Sequence, residues 1–195
     1  NTARWIYRKA CEEKHAESKV WLAWGKMEEK ERGAGEYSKE NTARWIYRKA
    51  CLEKGADSAV WTAWAQLEKK ERGAGKYSEE NTALWIYRKA CLEKGADGVV
   101  WLAWAQLEEE KDNIGEYDQE CTARWILNEG IKRFPNEGQL YSLNACLELR
   151  RQMPERAREI LQIGAKYNNY SIGNLAILEL YCGNIDTDSE YCTNK

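Results

Sequence analysis

The stretch Asn41-Thr42-Ala43-Arg44-Trp45-Ile46-Tyr47-Arg48-Lys49-Ala50-Cys51 also occurs, letter for letter, at Asn1–Cys11. It returns at Asn81–Cys91 with Leu84 in place of the arginine, and opens once more at Cys121-Thr122-Ala123-Arg124-Trp125-Ile126 before diverging. A segment that recurs at a fixed spacing is a structural unit that buries its apolar face by stacking on its neighbours. At about 100° per residue, Ala3, Ile6, Tyr7, Ala10 and Cys11 fall on one helical arc, and Arg4, Arg8 and Lys9 fall off it.

Working outward, Ser18–Arg32 also has helical spacing, with Val20, Trp21, Trp24, Gly25 and Met27 on one face. Gly33-Ala34-Gly35 stops it, and Ser38, Ser78 and Asp118 are the expected N-caps of the helices that follow. The unit is therefore an αα-hairpin, a helix A followed by a helix B. Its helix A carries Trp21/Trp24, Trp61/Trp64 and Trp101/Trp104, with Tyr141/Asn144 as a degenerate fourth pair. Ala3, Ala43, Ala83 and Ala123 keep a 40-residue step, and Ala157 follows after 34. The spacing predicts that the six residues of difference shorten each helix by about one turn.

The 195 residues carry 30 basic and 32 acidic side chains, a formal charge of −2, which argues against a general polyanion binder. Proline occurs twice and phenylalanine once, against 10 tryptophans and 11 tyrosines, a composition suited to helices. No apolar run approaches the roughly 18 residues of a membrane span. No signal-peptide pattern is present, although the chain starts inside a repeat and a targeting segment can have been removed. Cys11, Cys51 and Cys91 hold one repeat position each, roughly 10 Å apart in stacked repeats and too far for a disulfide. They read as small buried apolar residues. This favours a cytoplasmic setting, with an extracellular one open if a signal peptide was removed.

Trp61, Trp64, Glu68, Ala83, Ile86 and Tyr87 match a pattern of two aromatics and a glutamate in helix A, then Ala-x-x-Ile-aromatic in helix B. The chain resembles the tetratricopeptide-repeat superfamily, closest to half-a-TPR (HAT) repeats, with some Sel1-like spacing at Gly33-x-Gly35, Ala43, Tyr47 and Ala50. The resemblance implies an all-α fold: a right-handed superhelical solenoid of antiparallel αα-hairpins forming a single array over residues 1–195. Helix B occupies 1–14. Hairpins follow at about 17–54, 57–94, 97–134 and 137–166, with an incomplete one at 170–195. Cys192-Thr193-Asn194-Lys195 falls in phase with Asn1-Thr2-Ala3-Arg4, so the chain opens on a helix B without its helix A and closes on a helix A without its helix B.

Glu28, Glu68, Glu108, Glu148 and Glu179 sit within helix A's apolar arc. One acid per repeat builds no metal or catalytic site, so they read as structural carboxylates bonded by a neighbouring helix. Trp5, Trp45, Trp85 and Trp125 lie about 160° from the helix B core arc, with Leu52 and Leu92 on the same stripe. They form an outer contact surface, or they lie over basic stems and the adjoining repeat. Helix A lines the concave groove in the superfamily the chain resembles. Groove-facing residues are then Lys19, Lys26, Lys30, Gln66, Lys69 and Lys70, followed by Gln106, Glu109, Glu110 and Arg150. Such a groove, basic first and acidic later, suits an extended or helical peptide, and solvated charge explains it equally.

No catalytic, cofactor or metal constellation is legible. His15 is the only histidine and falls in a linker, and Cys182 and Cys192 lack partners at finger spacing. The sequence points to a non-enzymatic scaffold binding a protein or peptide through the groove or the Trp stripe. Two alternatives stand beside it: head-to-tail self-assembly into filaments through the open ends, and RNA processing in the HAT manner. No membrane partner is expected.

Overall fold

The computed structural model describes residues 2–12, 16–93, 96–116 and 118–181. Ten α-helices and no strand occur among these residues. Two compact units divide the chain, Asn1–Leu107 and Glu108–Lys195. His15, Tyr117, Cys182 and Cys192 lie outside the described residues.

The first unit holds α1 (Thr2–Glu12), α2 (Ser18–Arg32), α3 (Ala43–Glu53), α4 (Ser58–Arg72) and α5 (Ala83–Glu93), and most of α6 (Gly98–Glu110). Consecutive helices pack together: α1 on α2, α2 on α3, α3 on α4 and α4 on α5, while α2 also meets α4. The apolar arcs read from the sequence form this core. Ala43, Ile46, Tyr47, Ala50 and Cys51 are buried in α3, and Val60, Trp61, Trp64, Ala65 and Leu67 in α4. Gly25 lies flat against the ring of Tyr47, where a Cβ would stand 2.2 Å from Cε1. Starts of alternate helices are tied directly, because the backbone N–H of Asp57 donates to Ser18 Oγ and that of Asp97 to Ser58 Oγ, each at 3.0 Å.

The second unit holds the end of α6, then α7 (Ala123–Arg133), α8 (Gly138–Arg150), α9 (Pro154–Ala165) and α10 (Asn169–Tyr181). Tyr141, Ala145, Ala157, Leu161 and Leu178 make its core, flanked by Ile131, Ile160 and Leu175. α8 packs on α7, α9 and α10, and α9 on α10.

Two local expectations are corrected. Ser38, Ser78 and Asp118 lie in turns and do not cap helices. Thr42 and Thr122 are the caps, accepting from the N–H of Trp45 and Trp125, and Thr82 accepts from Trp85 in the same way. Asn41, Asn81 and Cys121, each with φ near +60°, turn the chain just before these threonines, so no helix can begin earlier. The shortening from 40 to 34 residues is not shared between the helices either. Residues 33–42 and 73–82 join α2 to α3 and α4 to α5, whereas residues 151–153 alone join α8 to α9. Helices α4 and α8 differ by only two residues, 15 against 13, and α9 is longer than α3, 12 against 11. The connection absorbs the change because a loop loses residues without disturbing packed faces.

Candidate functional site

Each buried helix-A carboxylate is held by an arginine that enters from the preceding helix B. Arg44 Nε reaches Glu68 Oε1 at 2.7 Å and its Nη2 reaches Oε2 at 3.2 Å. Arg4 Nε reaches Glu28 at 2.6 Å, and Arg124 Nε lies 2.9 Å from Glu148. Arg158 and Glu179 pair through both arms of the fork, the Nη2–Oε2 contact at 3.1 Å. A carboxylate taken out of water needs such charged, two-pronged donors. The bond to Glu68, ahead of the opposing effect of burial, raises the Arg44 guanidinium further above its usual range.

A tyrosine completes the arrangement between α3 and α4. Tyr37 OH donates to Glu68 Oε1 at 2.7 Å and accepts from Trp64 Nε1 at 2.9 Å. Its ring lies edge-on to Trp64 and under the Arg44 guanidinium, 5.6 Å from the centroid. Arg44 Nη1 donates to the carbonyl of Gly35 at 2.8 Å, two residues before that tyrosine. Tyr77 OH likewise accepts from Trp104 Nε1 at 2.8 Å, and Arg124 Nη1 donates to the Gly115 carbonyl at 3.1 Å. The repeats therefore seat a Gly-x-Tyr segment between an arginine, a tryptophan and a glutamate.

Leu84 stands 24 residues before Glu108, as Arg44 stands before Glu68, and carries no donor. Glu108 is bonded instead by Asn113 Nδ2 and by Lys111 Nζ at 3.4 Å. These residues replace Gly73 and Glu71 of the earlier copy, so a substitution on a helix is matched by substitutions in a turn.

The sequence reading missed the arginines because they fall off the apolar arc, and the tyrosines because loops show no periodicity. A signal was present: Arg precedes the buried Glu by 24 residues at Arg4, Arg44 and Arg124, and Tyr37, Tyr77 and Tyr117 recur every 40.

The helix-A residues expected to face a groove lie on α2, α4, α6 and α8. Lys19, Lys26, Lys30, Gln66, Lys70, Gln106, Glu110 and Arg150 are exposed, and Lys69 and Glu109 are half-buried. Lys26 and Gln66 share one shallow hollow of about 420 Å³, floored by Ala59, Thr62 and Ala63 and bounded by Leu22 and Val99. Several of the other charges are paired. Lys19 meets Glu17 at 2.7 Å, Lys70 meets Glu29 at 3.6 Å, and Arg150 meets Glu109.

The tryptophan stripe divides. Trp5 is 62% exposed, while Trp45, Trp85 and Trp125 are half-buried, as are Leu52 and Leu92. Trp45 meets Trp24 edge-on at 6.3 Å, with Lys49 Nζ 4.4 Å above its ring. Trp85 repeats this with Trp64 at 6.2 Å and Lys89 at 5.0 Å. These rings sit over the adjoining repeat beneath a lysine, where the sequence had suggested arginine stems.

Burial pushes the Cys11 thiol up to about 11 and that of Cys51 higher still, so neither is a thiolate near neutral pH. Among the described residues no group of three or more His, Cys, Asp or Glu side chains could hold a metal ion, and no helix is long and apolar enough to cross a membrane. No protein-family model, curated protein or solved structure matches the chain.

Proposed function

We propose that the chain is a non-enzymatic scaffold, a right-handed superhelical stack of HAT-like hairpins that holds a protein partner on the helix-A face of its first unit. The observation that carries this reading is the hollow between α2, α4 and the start of α6. Ala59, Thr62 and Ala63 let a partner backbone approach closely, Lys26 and Gln66 offer donors at the rim, and Val99 adds exposed apolar surface. Small apolar floors edged by a few polar groups suit a peptide segment. The buried arginine–glutamate ties support it too, since they fix the helices beneath such a surface.

A photo-crosslinking amino acid placed at Thr62 tests the reading, with one at Arg48, exposed on α3, as the comparison. A discrete adduct from position 62 alone supports it, and equal labelling from both positions overturns it. Adducts with RNA would favour the RNA-processing alternative.

Head-to-tail assembly remains as a second reading, supported by exposed apolar residues on α1. Ile6 is 53% exposed and Trp5 more so, whereas Ile46 at the equivalent place in α3 is buried. Light scattering across a concentration series tests it: a constant monomer mass discards it.

A further inference from the structure

The Gly-x-Tyr seat is built once more, between α1 and α2, and there it holds no such segment. Arg4, Trp24 and Glu28 reproduce Arg44, Trp64 and Glu68 in type and spacing, and Arg4 grips Glu28 as Arg44 grips Glu68. The bonds that Gly35 and Tyr37 make at the second seat have no counterparts at the first. Among the described residues Trp24 Nε1 and Glu28 Oε2 are buried without a hydrogen-bond partner, and the nearest cation to that oxygen is Arg32 Nε at 3.8 Å. Arg4 Nη2, whose counterparts at Arg44 and Arg124 turn to glycine carbonyls through Nη1, turns to Glu31. A buried donor and a buried acceptor left idle together are costly and rare in native proteins.

We infer that the α1–α2 seat binds a Gly-x-Tyr segment supplied in trans by another protein, with the phenol bridging Trp24 Nε1 and Glu28 Oε2 and the glycine carbonyl taking the Arg4 guanidinium. The ligand chemistry is read from the filled seats. A hydroxyl is needed that accepts from an indole and donates to a carboxylate, and a tyrosine ring fits beneath an arginine. A folded second copy is not the source, because Tyr37 and Tyr77 already sit on Trp64 and Trp104. The seat lies apart from the hollow at Thr62, so its loss leaves the proposed groove contact intact.

The test uses the full chain with ¹⁵N-labelled tryptophan indoles and an acetylated peptide, Gly-Ala-Gly-Glu-Tyr-Ser-Lys-Glu-Asn, copied from Gly33–Asn41. The Trp24 indole resonance is assigned by its loss in Trp24→Phe. The expected result is a saturable shift of that resonance with the Trp64 resonance unmoved. A peptide with Phe for Tyr should bind about tenfold more weakly, since it forfeits one hydrogen bond to a buried carboxylate. No shift at millimolar peptide, equal binding of the Tyr and Phe peptides, or a response confined to Trp64 would each overturn the inference. The peptide comparison is made on the unsubstituted chain and does not depend on any variant folding.

Discussion

Arg44 and Glu68 face each other across the α3–α4 packing with both guanidinium arms engaged, and the carboxylate has no solvent exposure. Removing the arginine leaves a buried charge held chiefly by Arg72 at 2.8 Å and by Tyr37. Arg44→Leu should cost about 2–4 kcal/mol in a urea titration. The chain already contains a tolerated version of this change, with Leu84 accompanied by the turn Lys111-Asp112-Asn113-Ile114. Replacing Glu71-Arg72-Gly73-Ala74 by Lys-Asp-Asn-Ile in the Arg44→Leu background should recover at least half of the loss. An additive further loss would show that the turn does not compensate.

Trp45 and Trp5 occupy equivalent places and should respond differently. Trp45→Ala removes a ring packed on Trp24 and should cost about 2–4 kcal/mol. Trp5→Ala removes a mostly exposed ring and should cost less than about 1 kcal/mol. Thermal melts of the two single variants decide it, and equal losses would refute the packing assigned to Trp45.

The tryptophan pairs and the alanine recurrence made the helices readable, because burial on a helical face leaves a period in the sequence. What the residues do with their polar ends leaves none. Arg44 looked like a solvated charge, since spacing places its Cα off the apolar arc and says nothing of where a long stem carries the guanidinium. Thr42 was passed over for Ser38 because the cap is fixed by the left-handed turn at Asn41, a conformation that no hydrophobic pattern records. Tyr37 was invisible for a similar reason: its partners are 27 and 31 residues away along the chain.

That left-handed turn gives a third prediction. Asn41, Asn81 and Cys121 have φ of 63°, 61° and 63°. Asparagine tolerates this region better than other side chains bearing a Cβ, and cysteine has no such advantage. Cys121→Asn should therefore stabilise the second unit by about 0.5–1 kcal/mol, read as a raised midpoint of its thermal unfolding. A lowered midpoint would count against the conformational argument.

Tyr37 gives the pH dependence. Burial first, and then the bond to Glu68, raise its ionisation above the ordinary 10.0. A raised folded value means that the neutral phenol stabilises the fold fully below pH 10.0 and that this contribution is lost as pH rises above it. Tyr37→Phe also strands the Trp64 indole and should cost about 1–3 kcal/mol at pH 8. Its stability should then fall less steeply above pH 10 than that of the unsubstituted chain, followed by urea midpoints and tyrosinate absorbance. Parallel curves would remove Tyr37 from the titration.

The compensation around Glu108 has a consequence for inheritance. Asn1–Cys11 and Asn41–Cys51 are identical, so unequal crossing-over between their coding stretches adds or removes one whole cassette and returns every carboxylate to an arginine at the same remove. Leu84 and Asn113 do not enjoy that freedom. A crossover that falls between them delivers a leucine to a turn that lacks the amide donor, or an amide donor to a repeat that already has its arginine. The two codons are bound to be passed on as a haplotype, and variation in copy number should spare the interval between them.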